Sequence, residues 1–316
     1  MTIDEIFDLF QEAVKIPFSY LLSTNKRVHW LYLISSLLLA FYVYKRSKVK
    51  GSFFQYVFHK KTWIGKSALI DYSFIFFNAL VKVVLIAPFL MIALYMAEGI
   101  NEFMIQHYGE SEWNWSPTTI IIIYTLIIII VNDFASFFVH YLMHKIPFLW
   151  AFHKIHHSAT TLNPFTQYRI HPVELIINNF RGLMVKGGIT GLFMYIANGE
   201  VGLLTFFGIN VFNFLFLFWG SNLRHSHVKL KYFNFLEYIL ISPYQHQIHH
   251  SNNPKLYDTN MGSRLAIWDW IFGTLVRSES VKTLRFGLGK EEDEKYKTFS
   301  QNLFAPFITV FKKKTH

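Results

Sequence analysis

Long apolar blocks separated by short polar stretches dominate this chain. Residues 3–14 place Ile3, Ile6, Phe7, Phe10 and Val14 on one helical face, the pattern of an amphipathic helix lying in a membrane interface. Apolar stretches follow at 28–44, 69–97, 117–139, 174–197 and 201–220. Each is close to the ~20 residues that cross a hydrocarbon core, the first being short. The fourth carries Arg181 and Lys186, which can snorkel from an interfacial turn, so the fourth and fifth are expected to form a tilted hairpin. The predicted fold is all-α and integral to the membrane: four or five transmembrane helices with a histidine-rich helical cap. There is no 20–50-residue repeat and no low-complexity linker. The chain reads as one unit in three stretches: 1–115 with the first two membrane segments, 116–280 with the chemistry, and a basic tail at 281–316.

Loop charge orients the stack. Lys45, Arg46, Lys48, Lys50, Lys60, Lys61 and Lys66 lie between the first two segments. The next loop carries Glu98, Glu102, Glu110 and Glu112 instead. The positive-inside rule makes the first loop cytosolic and the second external. Segment three then runs inward and delivers everything from His140 to His171 to the cytosolic face. Segments four and five return the chain to that face before Arg224, and the tail with Lys312, Lys313 and Lys314 ends there too.

Composition agrees with this pattern. Apolar residues make up 52% of the chain and charged residues only 16%, a balance that places it among membrane proteins. The net charge of +10 could suit nucleic acid or anionic lipid. The basic residues sit beside apolar runs with no basic-aromatic module, so lipid is expected and nucleic acid is not. With no cysteine, disulfides, thiolate zinc sites and iron–sulfur clusters are excluded. The acidic start MTIDEIFDLFQEA does not read as a cleaved signal.

Eleven of the fifteen histidines fall between 140 and 250, so spacing becomes the useful signal. His140 and His144 form HxxxH at the end of the third apolar run; residues four apart share a helical face and can address one metal. His153, His156 and His157 form HxxHH, repeated as His246, His249 and His250. One nitrogen of each such box points aside, which suits two adjacent metals. Between the boxes lie His171, in RIHPVE, and His225 and His227, in RHSH. Single histidines beside a membrane usually make interfacial hydrogen bonds, and His29, His59, His107 and His316 are read that way. The boxes are read as ligands: this many imidazoles are too many for one ion and suited to two. Imidazole alone leaves Fe, Cu, Zn and Ni open. Tyr141 and Lys154 stand where an HExxH zinc protease needs Glu. Asp133, seven residues before His140 on the same face, is the candidate to orient a ligand, because an acid at that depth needs a partner. Glu174, Glu237, Asp258 and Asp269 are lesser candidates for the same task.

The run DFASFFVHYLMHKIPFLWAFHKIHHSATTLNPFTQYRIHPVE resembles the sterol desaturase and fatty acid hydroxylase superfamily. So does SNLRHSHVKLKYFNFLEYILISPYQHQIHHSNNPKLYDTNMGSRLAIWDWIFGTL; together they cover about residues 130–276. The resemblance implies a non-haem di-iron site on a cytosolic cap, using O2 and a separate electron donor. Its implied ligands are His140, His144, His153, His156, His157, His246, His249 and His250, with His225 and His171 as further ones. His227 stands where relatives often carry Asn or Glu and is expected to be structural. HSHV, LEYI and HQIHH look most like the alkylglycerol monooxygenase and bacterial sterol-desaturase-like branch. The former would imply a pterin reductant and ether-lipid cleavage; RIHPVE looks more like bacterial and sterol-directed members.

The expected activity is insertion of one oxygen into a lipid C–H bond, with Arg169, Arg224 or Arg264 available to an anionic head group. A desaturase with the same site is the alternative. A non-catalytic ion carrier is a third reading; it needs acidic or histidine residues in the interior of several spans, and away from the span ends the acid found is Asp133, with Asn132, Asn178 and Asn210 among the neutral polar residues. Lys313 and Lys314 resemble a dilysine ER-retrieval signal, but the compact loops favour a bacterial inner membrane.

Overall fold

The computed structural model describes residues 3–199 and 201–312 and is mostly helical. Lys313, Lys314 and His316 lie outside the described residues.

Helix α1 (Ile3–Ser19) buries Ala13 and Pro17 and leaves Phe7, Phe10, Val14 and Phe18 largely exposed, with Phe18 edge-on to Phe76. After α2 (Trp30–Arg46), which is capped by His29, the helical run Lys66–Tyr108 begins with α3 (Lys66–Val81). A π-turn at Lys82–Ile86 and a short 3-10 turn containing Pro88 separate α3 from α4 (Ile92–Tyr108). Helix α5 (Pro117–Lys145) starts at a Ser116 cap with Pro117 in its first turn, and ends where Pro147 forces Ile146 into extended backbone. The Lys66–Tyr108 run and α5 are long and apolar enough to cross a membrane. On α5 the side chains of Ile122, Leu126, Ile130, Phe134 and Phe138, spaced four apart, form an exposed stripe. That stripe is roughly 24 Å long at 1.5 Å per residue, and its natural solvent is lipid.

Helix α6 (Pro147–His157) follows directly, and α7 (Pro172–Ala197) packs on α4. Gly187 and Gly191 permit that approach: a Cβ at either would lie 2.8 Å from the Ala93 carbonyl or 2.6 Å from that of Ala97. This is the small-xxx-small device of membrane helix pairs.

The fifth apolar stretch does not form one membrane-spanning helix. Strands β1 (Thr205–Phe206) and β2 (Ile209–Asn210) pair as a tight antiparallel hairpin. Phe207 and Gly208 turn it with φ of 50° and 72°, both in the left-handed region that such hairpins favour. Asn210 then caps α8 (Val211–Phe218), which is only eight residues and about 12 Å long. Hydrophobicity was continuous there, but the turn and the cap divide it.

Several further elements follow. They are a 3-10 turn at Ser221–His225, α9 (Pro243–His249) with a Ser242–Gln245 capping box, a one-turn helix at Ile267–Ile271, and α10 (Phe299–Lys312). Helix α10 packs back on α3 and α6 through Phe299 against Phe74 and Phe307 against Phe152. Beneath α6, Arg169 is fully buried. Its Nε donates to Asp71 Oδ1 at 2.7 Å, and the remaining donors go to Ser67 and Ser158. Arg169 is thereby unavailable to a lipid head group, because its guanidinium is consumed inside the fold.

Candidate metal centre

Helices α5, α6 and α9 converge their histidines. Nine imidazoles form two buried or half-buried groups, and within each group the candidate ligand nitrogens lie within 4.8 Å of one another. One group holds His140, His144, His153, His157 and His249. The other holds His156, His225, His246 and His250. The groups abut, with the His157 and His250 rings 4.7 Å apart.

Within each group the Nε2 atoms face one another. His140 and His157 reach His153 Nε2 at 3.0 and 3.2 Å. His156, His250 and His246 reach His225 Nε2 at 3.3, 3.1 and 3.1 Å. Metal–imidazole bonds of about 2.0–2.1 Å set neighbouring ligand nitrogens about 3.0–3.4 Å apart, so these separations are those of coordination edges. The Nε2 atoms of His144 and His249 are buried with no hydrogen-bond partner, a costly arrangement that a metal would relieve.

Four of the opposite ring nitrogens are supported. Nδ1 of His140, His249 and His156 donates to the carbonyls of Met261 (2.7 Å), Thr259 (2.8 Å) and Arg169 (3.2 Å). His144 Nδ1 donates to Asp258 Oδ1 at 3.1 Å, while His153 Nδ1 lies 3.0 Å from Glu174 Oε1 without the geometry of a hydrogen bond. An acceptor at Nδ1 fixes the proton there and leaves the Nε2 lone pair for a metal. His246 is held the other way: Arg224 Nη2 donates to its Nδ1 at 3.0 Å. The neutral His246 ring therefore carries its proton on Nε2, directed at His225, and would have to shed it to ligate. Burial pushes His153 and His156 down to about 3. Burial first and the neighbouring histidines second hold His157, His225, His249 and His250 well below the ordinary range. These rings are neutral at pH 7, the form that binds metal.

Two cavities reach the groups. One, of about 220 Å³, touches both, through His140 and His153 on one side and His156, His225 and His246 on the other. The second, of about 310 Å³, meets only His144, His157 and His249 and runs toward Tyr257 and Asp258.

Residues 125–274 match the family model described as fatty acid hydroxylase, and every histidine of both groups lies inside that span. The chain is 28% identical over 217 residues to alkylglycerol monooxygenase of Xenopus tropicalis, a match covering 68% of this chain and 40% of that protein. The alkylglycerol monooxygenase of Danio rerio is 31% identical over 161 residues, 49% of this chain and 31% of that protein. Ornithine lipid hydroxylase OlsE of Rhizobium tropici is 27% identical over 173 residues, 53% of this chain and 44% of that protein. The chain thus spans less than half the length of these relatives. No solved structure matches it.

Within the matched residues 125–274, His171 does not join either group. It caps α7, its Nδ1 accepting from Val173 N at 3.1 Å, while Nε2 donates to the Leu303 carbonyl at 3.1 Å, so both nitrogens are used. His227 stands outside as well, with Nε2 on the Tyr56 carbonyl. Asp133 touches no histidine. Its oxygens accept from Arg264 N, Leu265 N and Trp268 Nε1 at 3.0–3.1 Å, tethering the 264–268 segment to α5. Two helical turns put Asp133 on the His140 face but roughly 10 Å away along the axis. The carboxylates that do meet ligand candidates are Asp258 and Glu174. Asp269 acts at one remove, accepting from Met261 N and Gly262 N and so fixing the carbonyl that holds His140. Arg27 lines the 220 Å³ cavity from outside the matched residues 125–274, and no local motif marks it.

Proposed function

We propose that this chain is an O2-dependent, di-iron membrane hydroxylase that inserts one oxygen into a lipid C–H bond. The observation that carries the reading is the pair of abutting histidine groups, with Nε2 atoms at coordination-edge spacing, beside a cavity that touches both. A pair of iron ions, when bound, supplies the O2 activation that histidine side chains cannot. The balance is R–H + O2 + two electrons + two protons giving R–OH + H2O, with the electrons from a separate donor. His140, His144, His153, His156, His157, His225, His249 and His250 would hold the metals, with His246 joining once its proton sits on Nδ1 and Arg224 turns its donor away. Asp258 and the Met261, Thr259 and Arg169 carbonyls would keep four of these rings oriented, and Glu174 lies 3.0 Å from His153 Nδ1. The apolar helices place the cavity within reach of a lipid, and the charge asymmetry of the loops supports a cytosolic site in a multi-pass protein. The relatives' names, alkylglycerol monooxygenase and ornithine lipid hydroxylase, support the same reaction class.

The test is comparative lipid analysis under 18O2 with native protein and a His156→Ala, His249→Ala double variant. A lipid that gains one labelled oxygen only with native protein is the expected result. No histidine-dependent label would sink the hydroxylase reading, and a new double bond without label would replace it with desaturation.

A further inference from the structure

Three arginines converge beside the histidine groups with little to neutralise them. The guanidinium carbons of Arg27, Arg224 and Arg264 lie 5.5, 5.4 and 5.2 Å from the centre of one ring, that of Phe216. Arg27 and Arg224 line the 220 Å³ cavity that touches both histidine groups. Arg224 is 2% exposed. Its terminal nitrogens serve the carbonyls of Ser263 and Gly262 and His246, and its buried Nε–H has no partner. Arg264 donates to Asn213 Oδ1 at 2.9 Å, and its Nε–H is likewise buried and unpaired. Among the described residues the Arg27 side chain makes no hydrogen bond.

The nearby negative charge is small. Asp133 is 3.5 Å from Arg264 Nη1, but its oxygens are already shared among two backbone N–H groups and Trp268. Glu174, on another wall of the cavity, lies against His153. Burial first, and then repulsion from Arg264, lowers Arg27 to about 10, so it remains cationic at neutral pH. Buried guanidinium groups with unpaired donors are costly unless an anion joins them. Arginine's planar fork suits phosphate or carboxylate oxygens. The surroundings favour a lipid as the source of that anion: Leu21, Leu22 and Trp30, flanking Arg27 in the chain, are exposed apolar residues of the kind found at a bilayer interface.

We propose that Arg27, Arg224 and Arg264 form a receptor for the phosphate or carboxylate of an anionic lipid head group, holding that lipid against the histidine groups. This deepens the hydroxylase reading, on which it rests for the lipid's fate, by naming the substrate class.

The test uses the full chain, iron-loaded, in neutral phosphatidylcholine nanodiscs. Affinities are measured for short-chain phosphatidic acid, for the matching diacylglycerol, and for inorganic phosphate. Native protein is expected to prefer phosphatidic acid over diacylglycerol by about tenfold or more, the worth of a charge-assisted hydrogen bond. Arg27→Gln should reduce that preference several-fold with iron content unchanged, and Arg27→Lys should recover part of it. Equal binding of the two lipids overturns the receptor, as does a preference indifferent to Arg27→Gln. Inorganic phosphate binding as tightly as phosphatidic acid overturns the lipid assignment. The 18O2 experiment reports separately: loss of labelling with the preference intact refutes hydroxylation alone, and labelling without the preference refutes the receptor alone.

Discussion

Asp258 offers a clean separation of metal affinity from fold stability. It occupies a left-handed backbone position (φ 56°), and its carboxylate meets His144 Nδ1 at 3.1 Å and Lys145 Nζ at 2.7 Å. Asp258→Asn keeps the size and tolerates that backbone, so it removes only the charge and one acceptor. The Lys145 contact is 41% exposed on the lysine side and 37% on the aspartate side, so its loss costs at most about 1 kcal/mol. The His144 contact is different in kind. His144 Nε2 is buried without a partner and depends on Nδ1 for its tautomer. Loss of such an orienting carboxylate typically lowers metal affinity by 10–100-fold, about 1.4–2.7 kcal/mol. Iron retention against a graded chelator, alongside the unfolding midpoint of the metal-free protein, reads the two quantities. The expected result is a one- to two-decade loss of iron affinity with a nearly unmoved metal-free midpoint. Unchanged affinity would refute the argument. So would an equal loss in Lys145→Met, which would make the effect one of local charge rather than ring orientation.

Two further substitutions probe the frame. His171→Asn preserves an α7 cap and should leave the metal content at native stoichiometry, with a modestly lowered unfolding midpoint from the lost Leu303 contact. Loss of a metal equivalent on elemental analysis would return His171 to the ligand set. Gly191→Ala places a methyl group 2.6 Å from the Ala97 carbonyl and should cost about 1–3 kcal/mol despite alanine's better helix propensity; an unchanged or raised thermal midpoint would show that α4 and α7 are not in close contact.

The histidine boxes were legible because their spacing is helical, and the structure puts them on α5, α6 and α9. Their division was not. A single HxxHH box supplies both groups, His153 and His157 to one and His156 to the other, and that depends on how three helices face each other. Asp133 and His171 share one lesson. Sequence places a polar residue near a box, but loop backbone decides its partner: the 264–268 segment took the Asp133 carboxylate, and Val173 N and the Leu303 carbonyl took His171. The 201–220 stretch had the hydropathy of a span, and two left-handed residues with one asparagine cap broke it. The signal for the α4–α7 contact was present in KGGITG as Gly187 and Gly191, but it acquires meaning only once a partner helix is known. Arg27 had no signal, since it lies far in sequence from everything it meets at the cavity.

The sharing of α6 and α9 between the two histidine groups bears on how the centre is assembled. His153, His156 and His157 sit on one rigid helix, and His246, His249 and His250 on or at the end of another, each serving both groups. Filling one group therefore fixes the rotation and register of both helices, and with them the rings of the other group. On the two-metal proposal the ordering entropy would be spent at the first loading step, so a second ion would bind a preformed set, which is positive cooperativity between the sites. Under limiting metal the population should divide into empty and doubly filled molecules, with few carrying a single ion.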